Sequence, residues 1–303
     1  MRDFPVYLRT KADGLFDKKI GELESLLDPC ILCPRRCRAN RAVGNLGRCE
    51  APYNLYISSS FPHFGEEPPL VGIYGSGTIF LSHCNLKCVF CQNYDISIYG
   101  EGYPCSFIEL ATVMMELQKR GCHNVNFVTP THYVPHLVRA LSIAIDMGFS
   151  IPIVYNCGGY ESLEVIRLLD GIVDIYMPDI KFLESALSER LCSAEDYPEV
   201  VKSVMKEMQR QVGDLSISTE GIATRGLLIR HLVMPSCGED TKHILRFIRE
   251  EISCNAFVNI MAQYHPCSRA EDYPEIARQI STREYAEARN YARDIGLLRA
   301  TDH

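Results

Sequence analysis

The stretch TIFLSHCNLKCVFCQN, residues 78–93, joins a short apolar run to three closely spaced cysteines. The run from Thr78 to Ser82 has the length and composition of a buried strand. Cys84, Cys88 and Cys91 follow at once, within a single loop. Iron–sulfur clusters are held by cysteine thiolates, and a cube with four irons normally takes four ligands. Three thiolates therefore leave one iron open, much as a catalytic zinc keeps one position free.

Short apolar runs and helix-length amphipathic segments alternate from this stretch onward. The runs predict six strands: Thr78 to Ser82, Val125 to Thr129, Ile151 to Asn156, Val173 to Met177, Leu227 to Met234 and Phe257 to Met261. Helices are predicted near residues 107–120, 134–147, 160–169, 196–212, 239–252 and 283–296. This alternation predicts an α/β fold with parallel strands, either an open doubly wound sheet or a complete or partial barrel.

Polar and reactive residues stand at the ends of the predicted strands, where ligands collect in both architectures. They are Cys84, Thr129 to His132, Asn156 to Gly159, Asp179 with Lys181, and Gln263 to His265. Their shared position predicts one binding site along the edge where the strands end. His132 fits a substrate or proton-transfer role and fits equally a loop histidine with structural partners.

A second group of cysteines, Cys30, Cys33, Cys37 and Cys49, lies in a segment without sustained hydrophobic periodicity. Four thiolates at these spacings close a metal site that takes zinc or an iron–sulfur cluster. A metal site whose four ligands are all cysteines has no open coordination position for a reaction, which favours structural zinc over an auxiliary cluster. Four unligated thiols are the alternative. We predict a metal-binding extension over residues 1–70 and a core domain over residues 71–303.

Composition excludes several function classes. The chain of 303 residues has 31 basic and 38 acidic side chains, and its formal charge of -7 disfavours nucleic-acid binding. The amino terminus lacks the apolar core of a signal peptide, and no uncharged apolar stretch has the length of a membrane span. We therefore expect a cytoplasmic protein without nucleic-acid or membrane partners, whose 14 cysteines stay mostly reduced.

The spacing CxxxCxxC, with Phe90 directly before the last cysteine, resembles the signature of the radical S-adenosylmethionine (radical SAM) superfamily. Within that superfamily, the chain resembles more closely the proteins that are similar to pyruvate formate-lyase activating enzyme. It resembles in particular their PflX-type branch, which shares CxLCPRxC (residues 30–37 here) and CxxxCVFCQN (residues 84–93). This resemblance implies a partial (β/α)6 TIM-like barrel over about residues 71–303. It also implies a [4Fe-4S] cluster on Cys84, Cys88 and Cys91, with S-adenosylmethionine (SAM) on the open iron.

The same resemblance implies a reaction and its partners. In the family, a reduced cluster cleaves SAM to methionine and a 5'-deoxyadenosyl radical, which abstracts hydrogen from a substrate. A glycyl-radical enzyme is the implied protein substrate, and a flavodoxin- or ferredoxin-type protein is the implied reductant. Modification of another protein, a peptide or a small molecule is the rival within the family. Outside it, an iron–sulfur electron carrier, packed free thiols or a zinc knuckle completed by His83 also fit the cysteines.

By resemblance, several residues at the strand ends bind SAM. Phe90 shapes the adenine side of the pocket. Asp179 and Lys181 match an Asp-x-Lys motif, in which the carboxylate accepts from ribose hydroxyls and the ammonium pairs with the methionine carboxylate. Many members bind the methionine amino group with Gly-Gly-Glu, whereas this chain has Thr129-Pro130-Thr131-His132, so the hydroxyls of Thr129 and Thr131 or the Pro130 carbonyl are expected there. The other predicted cofactor-binding residues are Asn156, Arg230 and His265.

Two further features adjoin this predicted site. The loop from His63 to Pro69 mixes an imidazole with two carboxylates and either seals the pocket, meets the substrate or is a solvated acidic loop. Cys157 and Cys267 adjoin the pocket loops, where a thiol can take a radical or acid role, although buried cysteines are commonly small apolar core residues.

Overall fold

The strands form one ten-stranded sheet, which the computed structural model describes within residues 5–301. In chain order they are β1 (Tyr56–His63), β2 (Ser76–Leu81), β3 (Tyr103–Pro104), β4 (Val125–Val128), β5 (Ile153–Cys157), β6 (Ile175–Pro178), β7 (Ser216–Ile217), β8 (Ala223–Leu232), β9 (Phe257–Met261) and β10 (Ala300–Thr301). Their order across the sheet is β10-β9-β8-β6-β5-β4-β2-β1-β3, with β7 paired to β8. Over the described residues β10 and β3 do not pair, so the sheet is an open, partial barrel.

Six neighbouring strands, β2, β4, β5, β6, β8 and β9, run parallel to one another. They correspond to the six predicted strands and confirm the α/β class and the partial barrel. Every residue of β5 and β9 is buried. Strands covered on both faces are continuous apolar runs, which is why the sequence pattern located them. Their carboxyl ends meet at one edge, called the barrel mouth below.

Among the described residues, two helices precede β1 and the others lie between strands. In chain order the helices are α1 (Val6–Ala12), α2 (Phe16–Ser25), α3 (Pro68–Val71), α4 (Tyr94–Ser97), α5 (Phe107–Lys119), α6 (Val134–Asp146), α7 (Leu163–Leu168), α8 (Ser185–Cys192), α9 (Tyr197–Val212), α10 (Gly238–Phe247) and α11 (Thr282–Asp294). A π-helical turn, Ile248–Ile252, continues α10. A capping box of Ser106 and Glu109 begins α5. Within the described range, none of the helices combines the length and apolar character that crossing a membrane requires.

The residues before the barrel share its core. β1 pairs antiparallel with β2, and α2 packs against α6 and α7. The hydroxyl of Tyr7 donates to the Ile151 carbonyl at 2.7 Å, and the Val6 amide donates to Asp174 at 2.8 Å. The amino-terminal segment is thereby fixed to the end of the barrel opposite its mouth, where β5 and β6 begin. A domain division near residue 70 stays a prediction.

Candidate active site

A cavity of about 240 Å³ opens at the barrel mouth. Six of the predicted cofactor-binding residues and all three cysteines of the loop after β2 line it: Phe90, Thr129, Asn156, Asp179, Lys181, Arg230, Cys84, Cys88 and Cys91. Parallel strands bring these distant segments together because their carboxyl ends lie side by side. The strand-end pattern in the sequence thus predicted which segments form the wall of this cavity.

The three cysteines lie on a tight loop after β2, called the cysteine loop below (residues 83–93). His83 and Lys87 adopt positive φ angles of 72° and 60°, which turn the backbone around the thiols. Cys88 is buried, whereas Cys84 and Cys91 are partly exposed to the cavity. Burial raises the pKa of the Cys84 thiol to about 12. A thiol in such surroundings becomes a thiolate only when a positive centre such as iron lies beside it.

Donor groups surround the sulfurs of the cysteine loop. The Leu86 amide donates to Sγ of Cys84 at 3.4 Å, and the Ser97 hydroxyl lies 3.1 Å from Sγ of Cys91. Sγ of Cys192, at the end of α8, lies 3.3 Å from Sγ of Cys88. Hydrogen bonds to ligand sulfurs orient thiolates and tune an iron–sulfur centre. The donor set therefore fits a cluster held by three cysteines.

An aromatic wall closes one side of the cavity. Phe90 is 6% exposed and packs edge-on against Phe182 and Tyr264, with ring centroids 6.0 and 6.4 Å away. A ring held from two sides presents a fixed apolar surface. Phe90 thus has both a packing role and a face on the cavity.

A charged network forms another part of the cavity wall. Oδ2 of Asp179 accepts from Nζ of Lys181 at 2.8 Å, and Oδ1 accepts from Nε of Arg230 at 2.9 Å. Nη2 of Arg230 also donates to Oδ1 of Asn156 at 2.7 Å. Burial acts to raise the pKa of Asp179, but Arg230 and Lys181 outweigh it and hold that pKa below its usual value. Charged side chains therefore face the cavity in fixed orientations.

The acidic loop before α3 contacts the same network through Arg230. Oε2 of Glu66 lies 3.8 Å and Oε1 of Glu67 lies 3.9 Å from the guanidinium of Arg230. Glu67 is 3% exposed, and its Oε1 also accepts from Nδ2 of Asn259 at 3.0 Å. Both carboxylates are largely buried partners of Arg230, so this segment is not a solvated acidic loop.

Thr131 and His265 do not line the cavity. The Thr131 hydroxyl donates to Oε1 of Glu161 at 2.6 Å, because the helical turn Thr131–Tyr133 directs it away from the mouth. His265 is exposed, and its Nδ1 lies 3.3 Å from Nε2 of Gln92. His132 is buried, with Nε2 2.7 Å from the Ser82 carbonyl, and burial lowers its pKa to about 3. The histidine is thus neutral, and its hydrogen bond connects the loop after β4 to the residue that follows β2.

Sequence reasoning missed Glu161, which belongs to the layer behind the cavity. Its carboxylate accepts from Thr131 and, at 2.9 Å, from the hydroxyl of Tyr155, and burial raises its pKa to about 7. It also missed the contact of Cys192 with the cysteine loop. Glu161 lies four residues after β5, in the Gly-Gly-Tyr-Glu run that follows Cys157, which was its only sequence signal.

The amino-terminal cysteines also come together. Cys30, Cys33 and Cys49 are buried and Cys37 is exposed. A Cβ atom added to Gly47 would lie 2.4 Å from Sγ of Cys37, so only glycine permits this approach. Among the described residues, no group of three or more His, Cys, Asp or Glu side chains converges on a single point suited to one ion. This holds for both cysteine groups. It does not argue against an iron–sulfur cluster, because each cysteine ligand of a four-iron cluster binds a different iron.

Comparison with known proteins identifies a matching family and two sequence relatives. The model of the Radical SAM superfamily matches residues 78–220. An uncharacterized protein of Methanocaldococcus jannaschii, MJ0674, is 35% identical over 297 residues, covering 94% of this chain and 80% of that protein. A second protein of the same organism, MJ0808, is 24% identical over 296 residues, covering 88% and 78%.

The solved structures add a likeness of fold. The crystal structure of Streptococcus suis SuiB matches with a TM-score of 0.51 at 14% identity, covering 73% of this chain and 47% of SuiB. The chain therefore spans about half the length of SuiB. At this identity the match supports the fold alone.

Proposed function

The chain belongs to the radical SAM superfamily, and from that premise we propose that it cleaves SAM reductively to abstract hydrogen from a substrate at the barrel mouth. One observation carries the proposal. The three cysteines of the superfamily signature and a partly buried charged network line the same cavity. A cluster with an open iron and a zwitterionic cofactor require those two walls side by side.

Cys84, Cys88 and Cys91 would hold a [4Fe-4S] cluster, and the remaining iron would bind SAM. Together the cluster and SAM supply one-electron cleavage of the sulfonium, which yields methionine and a 5'-deoxyadenosyl radical. The cavity walls keep the cofactor oriented and exclude water from it.

The charged wall suits the polar parts of SAM. Asp179 has oxygens for ribose hydroxyls, and Lys181 has a donor for the methionine carboxylate. Arg230 and Asn156 hold Asp179 in position from β8 and β5. For the methionine ammonium we propose the hydroxyl of Thr129, a residue that lines the cavity, rather than that of Thr131, which donates to Glu161.

For the substrate we propose a glycyl-radical enzyme, with a flavodoxin- or ferredoxin-type protein as reductant. The support is the likeness of the CxLCPRxC and CxxxCVFCQN stretches to the PflX-type branch of activating enzymes. Modification of another protein, a peptide or a small molecule is the alternative. Incubation with a glycyl-radical enzyme encoded beside this gene, followed by detection of a glycyl radical, separates the two.

A second metal centre is proposed at Cys30, Cys33, Cys37 and Cys49. The support is that three of these thiols are buried, that the four lie near enough to interact electrostatically, and that Gly47 leaves room for Cys37. Because these cysteines do not converge on a point suited to one ion within the described residues, an auxiliary iron–sulfur cluster fits them better than a zinc ion. Elemental analysis for zinc and iron distinguishes the two.

Anaerobic reconstitution with iron and sulfide, followed by dithionite and SAM, tests the main proposal. We expect 5'-deoxyadenosine from the wild-type protein and from the control Cys254→Ala, whose cysteine is exposed, but none from Cys88→Ala. A wild-type cluster whose electron paramagnetic resonance (EPR) signal ignores SAM would instead indicate an electron carrier.

A further inference from the structure

One arginine connects the amino-terminal cysteines to the cysteine loop. Arg35 lies between Cys33 and Cys37 in the sequence. Its Nε donates to the Asn85 carbonyl at 3.0 Å, and its Nη2 reaches the Leu86 carbonyl at 3.5 Å. Both carbonyls belong to the stretch between Cys84 and Cys88. The guanidinium therefore holds the part of the loop that sets the spacing of two cluster cysteines.

The same guanidinium caps the end of α8. It donates to the carbonyls of Cys192, at 3.3 Å, and of Ser193. The last carbonyls of a helix lack partners within the helix, and a cation there is favourable. Since Sγ of Cys192 contacts Sγ of Cys88 at 3.3 Å, Arg35 also fixes the residue that lies against a cluster cysteine.

Arg35 is itself held in place. Its guanidinium stacks over the ring of Tyr160 at 4.9 Å, and the Tyr160 carbonyl accepts from Nδ2 of Asn85 at 2.7 Å. The tyrosine hydroxyl donates to Asp196 at 2.6 Å. A planar guanidinium with donors along its edges is suited to join several carbonyls at once, whereas an ammonium is not.

Two other bridges leave the same amino-terminal segment. Glu50, next to Cys49, forms an ion pair with Lys87 of the cysteine loop. Arg41 is 2% exposed and donates to the His132 carbonyl at 2.7 Å, in the loop after β4. The four-cysteine segment thus contacts the cysteine loop through Arg35 and Glu50, and the loop after β4 through Arg41.

We propose that Arg35 is a positioning residue for the radical cluster, through which the four-cysteine segment stabilises the cysteine loop. This inference rests on the proposed function, because it needs a cluster on Cys84, Cys88 and Cys91. Arg35 does not touch the cavity; it acts through the backbone of Asn85 and Leu86 and through the end of α8. Because Arg35 lies between Cys33 and Cys37 in the sequence, a metal centre on these cysteines would keep Arg35 in place and so protect the cluster.

The test follows the SAM-dependent EPR change of the reduced cluster while a ferrous chelator removes iron from the full-length reconstituted protein. Outer-shell partners of a metal site contribute about 10- to 100-fold in metal affinity. We expect Arg35→Ala to lose this signal about 10- to 100-fold faster than the wild type. Arg35→Lys should also lose it faster, since lysine cannot join both pairs of carbonyls. Cys37→Ser should shift the rate in the same direction.

The matched control is Arg36→Ala, which removes the neighbouring exposed arginine and should leave the rate unchanged. Leu245→Ala, in the buried core at α10, provides a variant with a lowered melting temperature. The two variants are compared where their melting temperatures are equal. If Leu245→Ala then loses the EPR signal as fast as Arg35→Ala does, Arg35 acts through global stability and the inference is wrong. A wild-type rate in Arg35→Ala or Cys37→Ser also overturns it. A wild-type protein without any SAM-responsive cluster overturns the proposed function as well.

Discussion

Nε of Arg230 donates to Oδ1 of Asp179 at 2.9 Å, so a residue within β8 and the residue that follows β6 form one partly buried ion pair on the cavity wall. The pair is part of a longer series, because Asp179 also pairs with Lys181 and Arg230 also lies near Glu66 and Glu67. Charges of alternating sign therefore follow one another along this series. Each charge is compensated by its neighbours, which is what allows so many to lie inside the barrel.

Asp179→Asn should weaken SAM binding while the cluster still assembles. The amide cannot balance Lys181 and Arg230, and hydrogen bonds to charged groups contribute about 1.5–3 kcal/mol. We expect binding that is about 10- to 100-fold weaker, measured by SAM titration of the cluster's EPR signal. Asp272→Asn, which removes an exposed carboxylate paired with Arg269 at 3.2 Å, is the control. Equal affinities in both variants would show that Asp179 does not contact the cofactor.

Cys192→Ala should make the reduction potential of the cluster more negative. With Cys88 ligated as a thiolate, the Cys192 thiol 3.3 Å away becomes the donor of the S–H···S contact. Donors to ligand sulfurs stabilise the more negative reduced state, so their loss lowers the potential. Redox titration followed by EPR measures this change.

Two variants of other kinds sharpen the Cys192 test. Cys192→Ser keeps a donor and should lie between the alanine variant and the wild type. Cys122→Ala removes another buried thiol, beside Gly77 at the opposite end of β2, and should leave the potential unchanged. The idea fails if Cys192→Ala and Cys122→Ala share the wild-type value.

Gly47→Ala should reduce the metal content of the amino-terminal site. The new methyl would lie 2.4 Å from Sγ of Cys37, closer than van der Waals contact allows, so the thiol must move. Metal per chain is counted by elemental analysis in a background without Cys84, Cys88 and Cys91, so that only this site contributes. Gly21→Ala is the control, because its Cβ meets nothing within 4 Å. Full metal content in Gly47→Ala would contradict the proposed site.

The barrel was predictable because each of its six parallel strands is an apolar run between breaks in the pattern. β1 was missed, since Tyr56–His63 is antiparallel, mostly half-buried or exposed, and mixes serines with Pro62. Helix α8 was missed because only a few of its residues are buried. A strand covered on both faces leaves a continuous apolar run in the sequence, which is easier to recognise than the mixed pattern of an element covered on one face.

The candidate site was predictable to the level of the loop and not of the side chain. Thr129 and Thr131 share one loop, yet the first lines the cavity and the second binds Glu161. A short helical turn decides that difference, and hydrophobic spacing contains no information about it. The bridges made by Arg35 were beyond reach for another reason: they join segments 50 and 158 residues apart through backbone carbonyls, which every residue possesses.

Asp174, directly before β6, should give the stability of the protein a measurable pH dependence. Its carboxyl accepts from the amides of Val6 at 2.8 Å and Ile153 at 3.0 Å. Burial raises its pKa to about 7, and Arg225 only partly offsets this effect. In the unfolded chain the pKa is about 3.9. Between about pH 4 and pH 7 the folded state therefore binds a proton that the unfolded state has released.

The free energy of unfolding should consequently fall as the pH rises from about 4 to 7, by an amount on the order of a few kcal/mol, and then level off. Asp174→Asn cannot titrate and should lack this component, although it lowers stability overall because an amide offers one acceptor where two are needed. Urea unfolding of the wild type and the variant at several pH values measures the difference. Asp13→Asn, at an exposed carboxylate, should retain the wild-type slope. Parallel pH profiles for the wild type and Asp174→Asn would mean that Asp174 is ionised in the folded protein.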